Sequence, residues 1–205
     1  MNGMSIPAVL NERVVHGRVL TNIALILGAS AIIAIAAQIA IPLPFTPVPL
    51  TLQPIAVILV GAVLGSTRGA AAAALYLLEG LSGLPVFAQG HAGPLWLIGP
   101  TAGYLYSYPF AAFVAGWFSE RGWGRTIGRA MCGMLVALAV IYAGGWSWLA
   151  LTVGPSSAFA MGIAPFVLAD IIKVIIGAAL LPYAERFVKA LHRAIILCGG
   201  KASSF

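Results

Sequence analysis

Four stretches of this chain, residues 20–41, 95–118, 127–149 and 159–181, are each apolar for longer than the about 20 residues a helix needs to cross hydrocarbon. In lipid every backbone N–H and C=O must be satisfied within the protein, so such stretches favour helix. The rest of the chain offers little that water would accept. Charged side chains make up 8% of the 205 residues, against about 25% in soluble domains. Hydrophobic residues reach 61% and the mean hydropathy is +1.02. The expected fold class is all-α, as one polytopic membrane domain.

Residues 50–81 are ambiguous. They are apolar except for "GSTRGA" at 65–70, which divides them into short spans over 50–64 and 69–81. A re-entrant pair turning inside the membrane would leave Arg68 at the bilayer centre, a costly position. Placing Arg68 at an interface avoids that cost and predicts six transmembrane helices. The expected organisation is a lead-in over 1–19, a six-helix membrane domain over 20–185 and a basic tail over 186–205.

The basic residues test this count through the positive-inside rule. With the N-terminus inside, Arg13, Arg18, Arg68, Arg121, Arg125, Arg129, Arg186, Lys189, Arg193 and Lys201 all fall on the cytoplasmic side. The opposite loops, roughly 42–49, 82–94 and 150–158, carry no Lys or Arg. Both termini are therefore expected in the cytoplasm. The net charge of +6 then reflects topology, and no nucleic-acid partner is expected. The first residues lack an apolar core followed by a small-residue cleavage site, so they read as a cytoplasmic lead-in and not a signal peptide. Two cysteines, Cys132 and Cys198, give no disulfide framework and no zinc spacing.

The outer loops are apolar for loops. "IPLPFTPVPLTLQP" holds prolines at 42, 44, 47, 49 and 54, a composition that resists helix and keeps an extended shape. "GLSGLPVFAQGHAGPLWLIGPTAGY" (80–104) is rich in glycine and carries Phe87, Gln89, His91 and Trp96. Irregular backbone at membrane depth is tolerated where it lines a cavity. Two such loops on one side predict a lidded cavity open to the outside.

Inside the last apolar stretch, "LADIIKVIIG" (168–177) places Asp170 and Lys173 at i and i+3, on one helix face. Ionisable residues at mid-membrane mark a substrate or ion pathway more often than a structural ion pair. Continuous helix from residue 159 would put Asp170 roughly 16 Å below its start, with Pro165 bending the path, so the pair reads as the polar floor of the cavity. Glu79 reads as facing headgroups and His91 as packing within its loop. Trp146 and Trp148 read as an interfacial belt. Tyr142, a turn deeper, is a candidate cavity hydroxyl. No P-loop, GxSxG, HExxH or acidic magnesium cluster occurs, so the chain is expected to be neither an ATPase nor an enzyme, and no cofactor is expected.

The segments "PFTPVPLTLQP" (44–54), "GLSGLPVFAQGHAG" (80–93), "GPTAGYL" (99–105) and "PFVLADIIK" (165–173) together resemble the BioY family, the biotin-specific S components of energy-coupling factor (ECF) transporters. The resemblance spans about residues 20–185. Two departures are Ala102-Gly103, where the family often has Gly-Gly, and Gln89-Gly90-His91, in a variable loop. It implies the ECF S-component fold, a bacterial plasma-membrane location, biotin as ligand near the outer face, and as partners a transmembrane T component and two cytoplasmic ATPases.

Biotin's chemistry suits these residues. Its ureido N–H groups need acceptors such as Asp170, and Gln89 offers both donor and acceptor. Lys173 can meet the ureido carbonyl or the valerate carboxylate. Phe87, Tyr104 and Tyr142 can wall the apolar ring, and the prolines around Thr46 preset the lid. Small residues four apart let helices approach in lipid. Ala24/Gly28, Ser30/Ala34 and Ala36/Ala40 in the first span and Ala70/Ala74 in the third are candidates. S components resembling this one use such pairs to meet the T component, and Ala24 and Gly28, toward the cytoplasmic end, are favoured here; intramolecular packing is the competing reading. The competing function is a self-contained carrier or channel using Asp170 as an ion or proton site.

Overall fold

The computed structural model describes the backbone of residues 6–201 and the side chains of 19–184 apart from Arg125. The lead-in and tail fall largely outside the described side chains, with Cys198 and the basic residues they contain. The chain runs through α1 (Ile6–Gln38), β1 (Ala40–Ile41), β2 (Leu50–Thr51), α2 (Gln53–Leu64) and α3 (Ser66–Leu81). Two short 3-10 turns follow, Ala88–Gly90 and Pro94–Leu97, then α4 (Ala102–Glu120), a 3-10 turn Trp123–Arg125, α5 (Ile127–Val153), α6 (Pro155–Gly162) and α7 (Val167–Lys201). Among the described residues, three helical segments are individually long and apolar enough to cross a membrane: Val19–Gln38, Ile127–Val153 and Val167–Ala184.

The local sequence explains the irregular pieces. The proline-rich loop forms a minimal antiparallel ribbon, Ala40 opposite Thr51 and Ile41 opposite Leu50. Prolines 42, 44, 47 and 49 have no N–H to give a ladder, so pairing stops there. Residues 50–81 divide as expected, into helices of 12 and 16 residues. Gly65 alone separates them, at φ +89°, a value glycine adopts without strain.

Two expected spans differ from what is observed. The stretch 95–118 starts as a 3-10 turn, and regular helix begins only at Ala102. The stretch 159–181 is not one bent helix. It breaks between Gly162 and Val167, a segment that contains Pro165, and α7 starts afresh. Proline cannot sit inside a helix without losing a backbone bond.

Helix α4 is the centre of the bundle, with α2, α3 and α5 packed around it. The approach to α5 is close enough that a Cβ on Gly103 would collide with the Gly144 carbonyl. On the far side, a Cβ on Gly61 of α2 would meet the Ala112 backbone. Ile33, Val57, Ile58, Ile141, Leu149, Val174 and Leu181 fill the interior. Leu20, Ile35, Phe110, Leu151 and Leu168 point outward. That outer surface exceeds what a soluble monomer exposes and suits lipid.

Glu79 does not face outward alone: it accepts a hydrogen bond from the buried Ser30 hydroxyl at 2.5 Å, joining α1 to α3. Ser30 therefore belongs to the interior. Ala24 and Gly28 lie on the opposite, exposed face of α1, and nothing approaches within 4 Å of where a Gly28 Cβ would sit. At one end of the bundle gather the ribbon, both 3-10 turns of the second loop and the end of α5. At the other end the Glu120 carboxylate accepts from the Ser66 N–H at 2.7 Å and from its hydroxyl at 3.0 Å. Arg68 and Arg121 flank that contact in sequence and are exposed.

Candidate ligand-binding site

A cavity of about 640 Å³, its open mouth included, lies between the ribbon, the second loop, α4, α5 and α7. Phe87, Trp96, Tyr104, Leu105, Ile141 and Phe166 provide most of its apolar wall. Thr51, Gln53, Tyr108, Tyr142, Asp170 and Lys173 provide the polar groups. Among the seven ligand residues expected from sequence, the fold brings five to this cavity: Asp170, Lys173, Phe87, Tyr104 and Tyr142.

Asp170 is 4% exposed. The helix break puts it in the first turn of α7 and not, as expected, three turns down a continuous helix. A carboxylate there meets the positive end of the helix dipole. Its Oδ1 accepts from Lys173 Nζ at 2.7 Å and its Oδ2 from the Tyr142 hydroxyl at 2.7 Å. Lys173 Nζ also donates to the Thr51 carbonyl at 2.7 Å, tying α7 to the ribbon. Two of the three ammonium protons are engaged, so one donor direction remains. The charges cancel locally, as a buried pair must, and the carboxylate keeps spare lone pairs.

The aromatic wall is held just as firmly. The Tyr104 hydroxyl donates to the Gly162 carbonyl at 2.7 Å. A Cβ on Gly145 would overlap the Tyr104 ring and one on Gly162 its hydroxyl, so both glycines make room for it. Phe87 is 1% exposed and meets Tyr76 edge-on at 5.6 Å between ring centres.

Thr46 and Gln89 do not line the cavity. The Thr46 hydroxyl donates to the Met161 carbonyl at 2.8 Å and accepts from the Val48 N–H at 3.1 Å, fastening the proline-rich loop to α6. Gln89 is exposed and its backbone is left-handed, at φ +62°. The polar anchor of its loop is Gln38 at the end of α1. Gln38 Nε2 donates to the Phe87 carbonyl at 3.1 Å, and its Oε1 accepts from the Gly90 N–H at 2.9 Å. His91 packs within the loop, its Nδ1 2.7 Å from the Ala88 carbonyl and its ring 4.1 Å from that of Trp96. Trp146 and Trp148 donate to the Pro155 and Gly99 carbonyls and stand outside the cavity.

Sequence reasoning missed Gln53, Tyr76, Tyr108 and Gln38. Gln53 is 4% exposed and its Nε2 donates to the Tyr76 hydroxyl at 2.5 Å. The available signal was a lone amide in each of two otherwise apolar runs.

An outward-facing apolar bundle with an ion pair and an aromatic wall enclosing a cavity is the architecture of a membrane protein that holds a small molecule. The chain belongs to the BioY family, whose profile matches residues 8–190. The probable biotin transporter BioY of Pyrococcus horikoshii is 42% identical over 143 residues, covering 70% of this chain and 83% of that one. The biotin transporter BioY of Rhizobium etli is 37% identical over 161 residues, covering 74% and 86%. The 2.1 Å crystal structure of the S-component for biotin from an ECF-type ABC transporter superposes with a TM-score of 0.72 at 22% identity, covering 91% of this chain and 95% of that one. The fold is therefore that of an ECF S component.

Proposed function

We propose that this chain is the substrate-binding S component of a biotin uptake system, capturing biotin in the cavity beneath the two loops. The observation that carries the reading is the Asp170–Lys173 pair lining an aromatic cavity, in a chain whose relatives are named biotin transporters. Asp170 accepts from a ureido N–H, and the remaining Lys173 proton meets the ureido carbonyl or the valerate. Phe87, Tyr104 and Tyr142 enclose the thiophane ring. Thr46 and Gln89 belong to the loops that open and close over it.

In this reading the chain crosses the plasma membrane of its cell six times, with both termini in the cytoplasm and the cavity facing outward. The segregation of Arg68 and Arg121 to the end opposite the cavity supports that orientation. It performs no chemistry. A T component and two ATPases supply the energy, and the open face at Ala24 and Gly28 is where the T component docks. A carrier that used Asp170 as its ion site would have to displace Lys173 from a 2.7 Å bond, which makes that reading the weaker one.

Uptake of labelled biotin tests the proposal. Cells lacking their own biotin importer, given this chain with its T component and ATPases, should accumulate label in an ATP-dependent manner. Ion-driven flux into vesicles holding this chain alone would favour the carrier.

A further inference from the structure

Gln53 is nearly buried, lines the cavity and is used by nothing in the reading above. Its orientation follows from hydrogen-bond logic. The Val86 carbonyl can only accept, so the Tyr76 hydroxyl donates to it, at 3.1 Å. That hydroxyl has one proton, so toward Gln53 it must accept. Gln53 therefore presents its NH2 to Tyr76 and its Oε1 elsewhere. The Oε1 has no protein partner, and among the described residues no buried polar side-chain atom lacks one. The oxygen is therefore open to the cavity. The backbone N–H of Gln53 bonds the Thr51 hydroxyl at 3.3 Å, and the Thr51 carbonyl holds Lys173. The amide thus projects from the same strand end that anchors the ion pair.

Two neighbouring hydroxyl donors are already committed. The Tyr142 proton goes to Asp170 and the Tyr104 proton to Gly162. The cavity consequently offers two fixed acceptors, the Gln53 amide oxygen and the Asp170 carboxylate. We infer that Gln53, locked by the Tyr76–Val86 relay, is a specificity-determining acceptor that reads one N–H of the ligand while Asp170 reads another. The inference rests on the biotin reading and names which protein group meets each side of the ureido ring. A ligand with an oxygen in place of either N–H sets two acceptors against each other and is rejected, because the protein group is left buried and unpaired.

The test uses the full chain in detergent, biotin, and the two cyclic carbamates in which one or the other ureido N–H is replaced by a ring oxygen. The wild type should bind biotin at least roughly tenfold more tightly than either carbamate. Gln53→Leu should weaken biotin by roughly tenfold and abolish discrimination against one carbamate only. Asp170→Asn should affect discrimination against the other. Tyr76→Phe keeps the packing on Phe87 but frees the amide to flip, so it should erode the same discrimination as Gln53→Leu; it also serves if Gln53→Leu fails to fold. Unchanged discrimination in both Gln53→Leu and Tyr76→Phe, with biotin still bound by the wild type, overturns the inference. Failure of the folded wild type to bind biotin at all overturns the biotin reading itself, and the inference with it.

Discussion

Two carboxylates stand at helix starts at opposite ends of this bundle, and they do different work. Glu120 reaches across from the end of α4 to the first residue of α3 and takes both the Ser66 N–H and its hydroxyl. Its Oε1 lies 2.6 Å from where a Cβ on Gly65 would be, and Gly116 is packed against the Ser66 backbone. Glu120 is itself exposed at the surface. Asp170 also begins a helix and is also partnered at both oxygens, but its partners, Lys173 and Tyr142, are side chains that themselves face a cavity. Hydrogen bonding alone therefore does not make a carboxylate in an apolar bundle functional. What separates a site from a cap is whether the partnered group lines a cavity or lies at the open surface.

The contrast breaks most visibly at Asp170. Asp170→Asn leaves Lys173 without its counter-charge in a site where both side chains are largely buried. Removing one member of a buried pair costs about 3–5 kcal/mol, so biotin affinity should fall by at least about 100-fold, read by calorimetry, with a lowered melting temperature. Tyr142→Phe removes one charge-assisted bond to Asp170 and leaves the ion pair. A loss of about 1.5 kcal/mol, roughly tenfold in affinity, is expected. No loss would mean that the carboxylate is held without Tyr142.

At the other end, Glu120→Ala should lower stability by about 1 kcal/mol, the worth of a helix cap, and leave biotin affinity unchanged. A change in affinity would erase the distinction between cap and site. The smallest effect on the isolated chain is expected from Gly28→Leu. The new side chain meets nothing within the molecule, so folding and binding should match the wild type, while ATP-driven uptake with the partners should be lost. Normal uptake by Gly28→Leu would move the docking face elsewhere.

Much of this was legible in the sequence, for identifiable reasons. Hydropathy located α1 and α5 because their apolar runs match helix length. "GSTRGA" divided α2 from α3 because an arginine at the bilayer centre is costly. Asp170 and Lys173 were conspicuous because charge is scarce. The break before α7 was not visible to hydropathy, since residues 159–181 are apolar on both sides of it; Gly162 and Pro165 were the only cues. Gln89 was named and Gln53 was not: both are amides in outer segments, and an irregular loop has no period that tells which side chain turns inward. Gln53 points in because it opens α2, whose register is set by packing on α4. Gln38 was overlooked because a polar residue at a helix end usually meets water, whereas here the second loop folds back onto it.

The central claim is that the Asp170–Lys173 cavity binds biotin. Titration calorimetry of the purified full chain in detergent, with riboflavin and thiamine as controls, measures this directly. Tight one-site binding of biotin alone, strongly weakened in Asp170→Asn and in Lys173→Ala, is the predicted result. A folded, monodisperse protein that does not bind biotin, or that binds it equally well in both variants, would contradict the account.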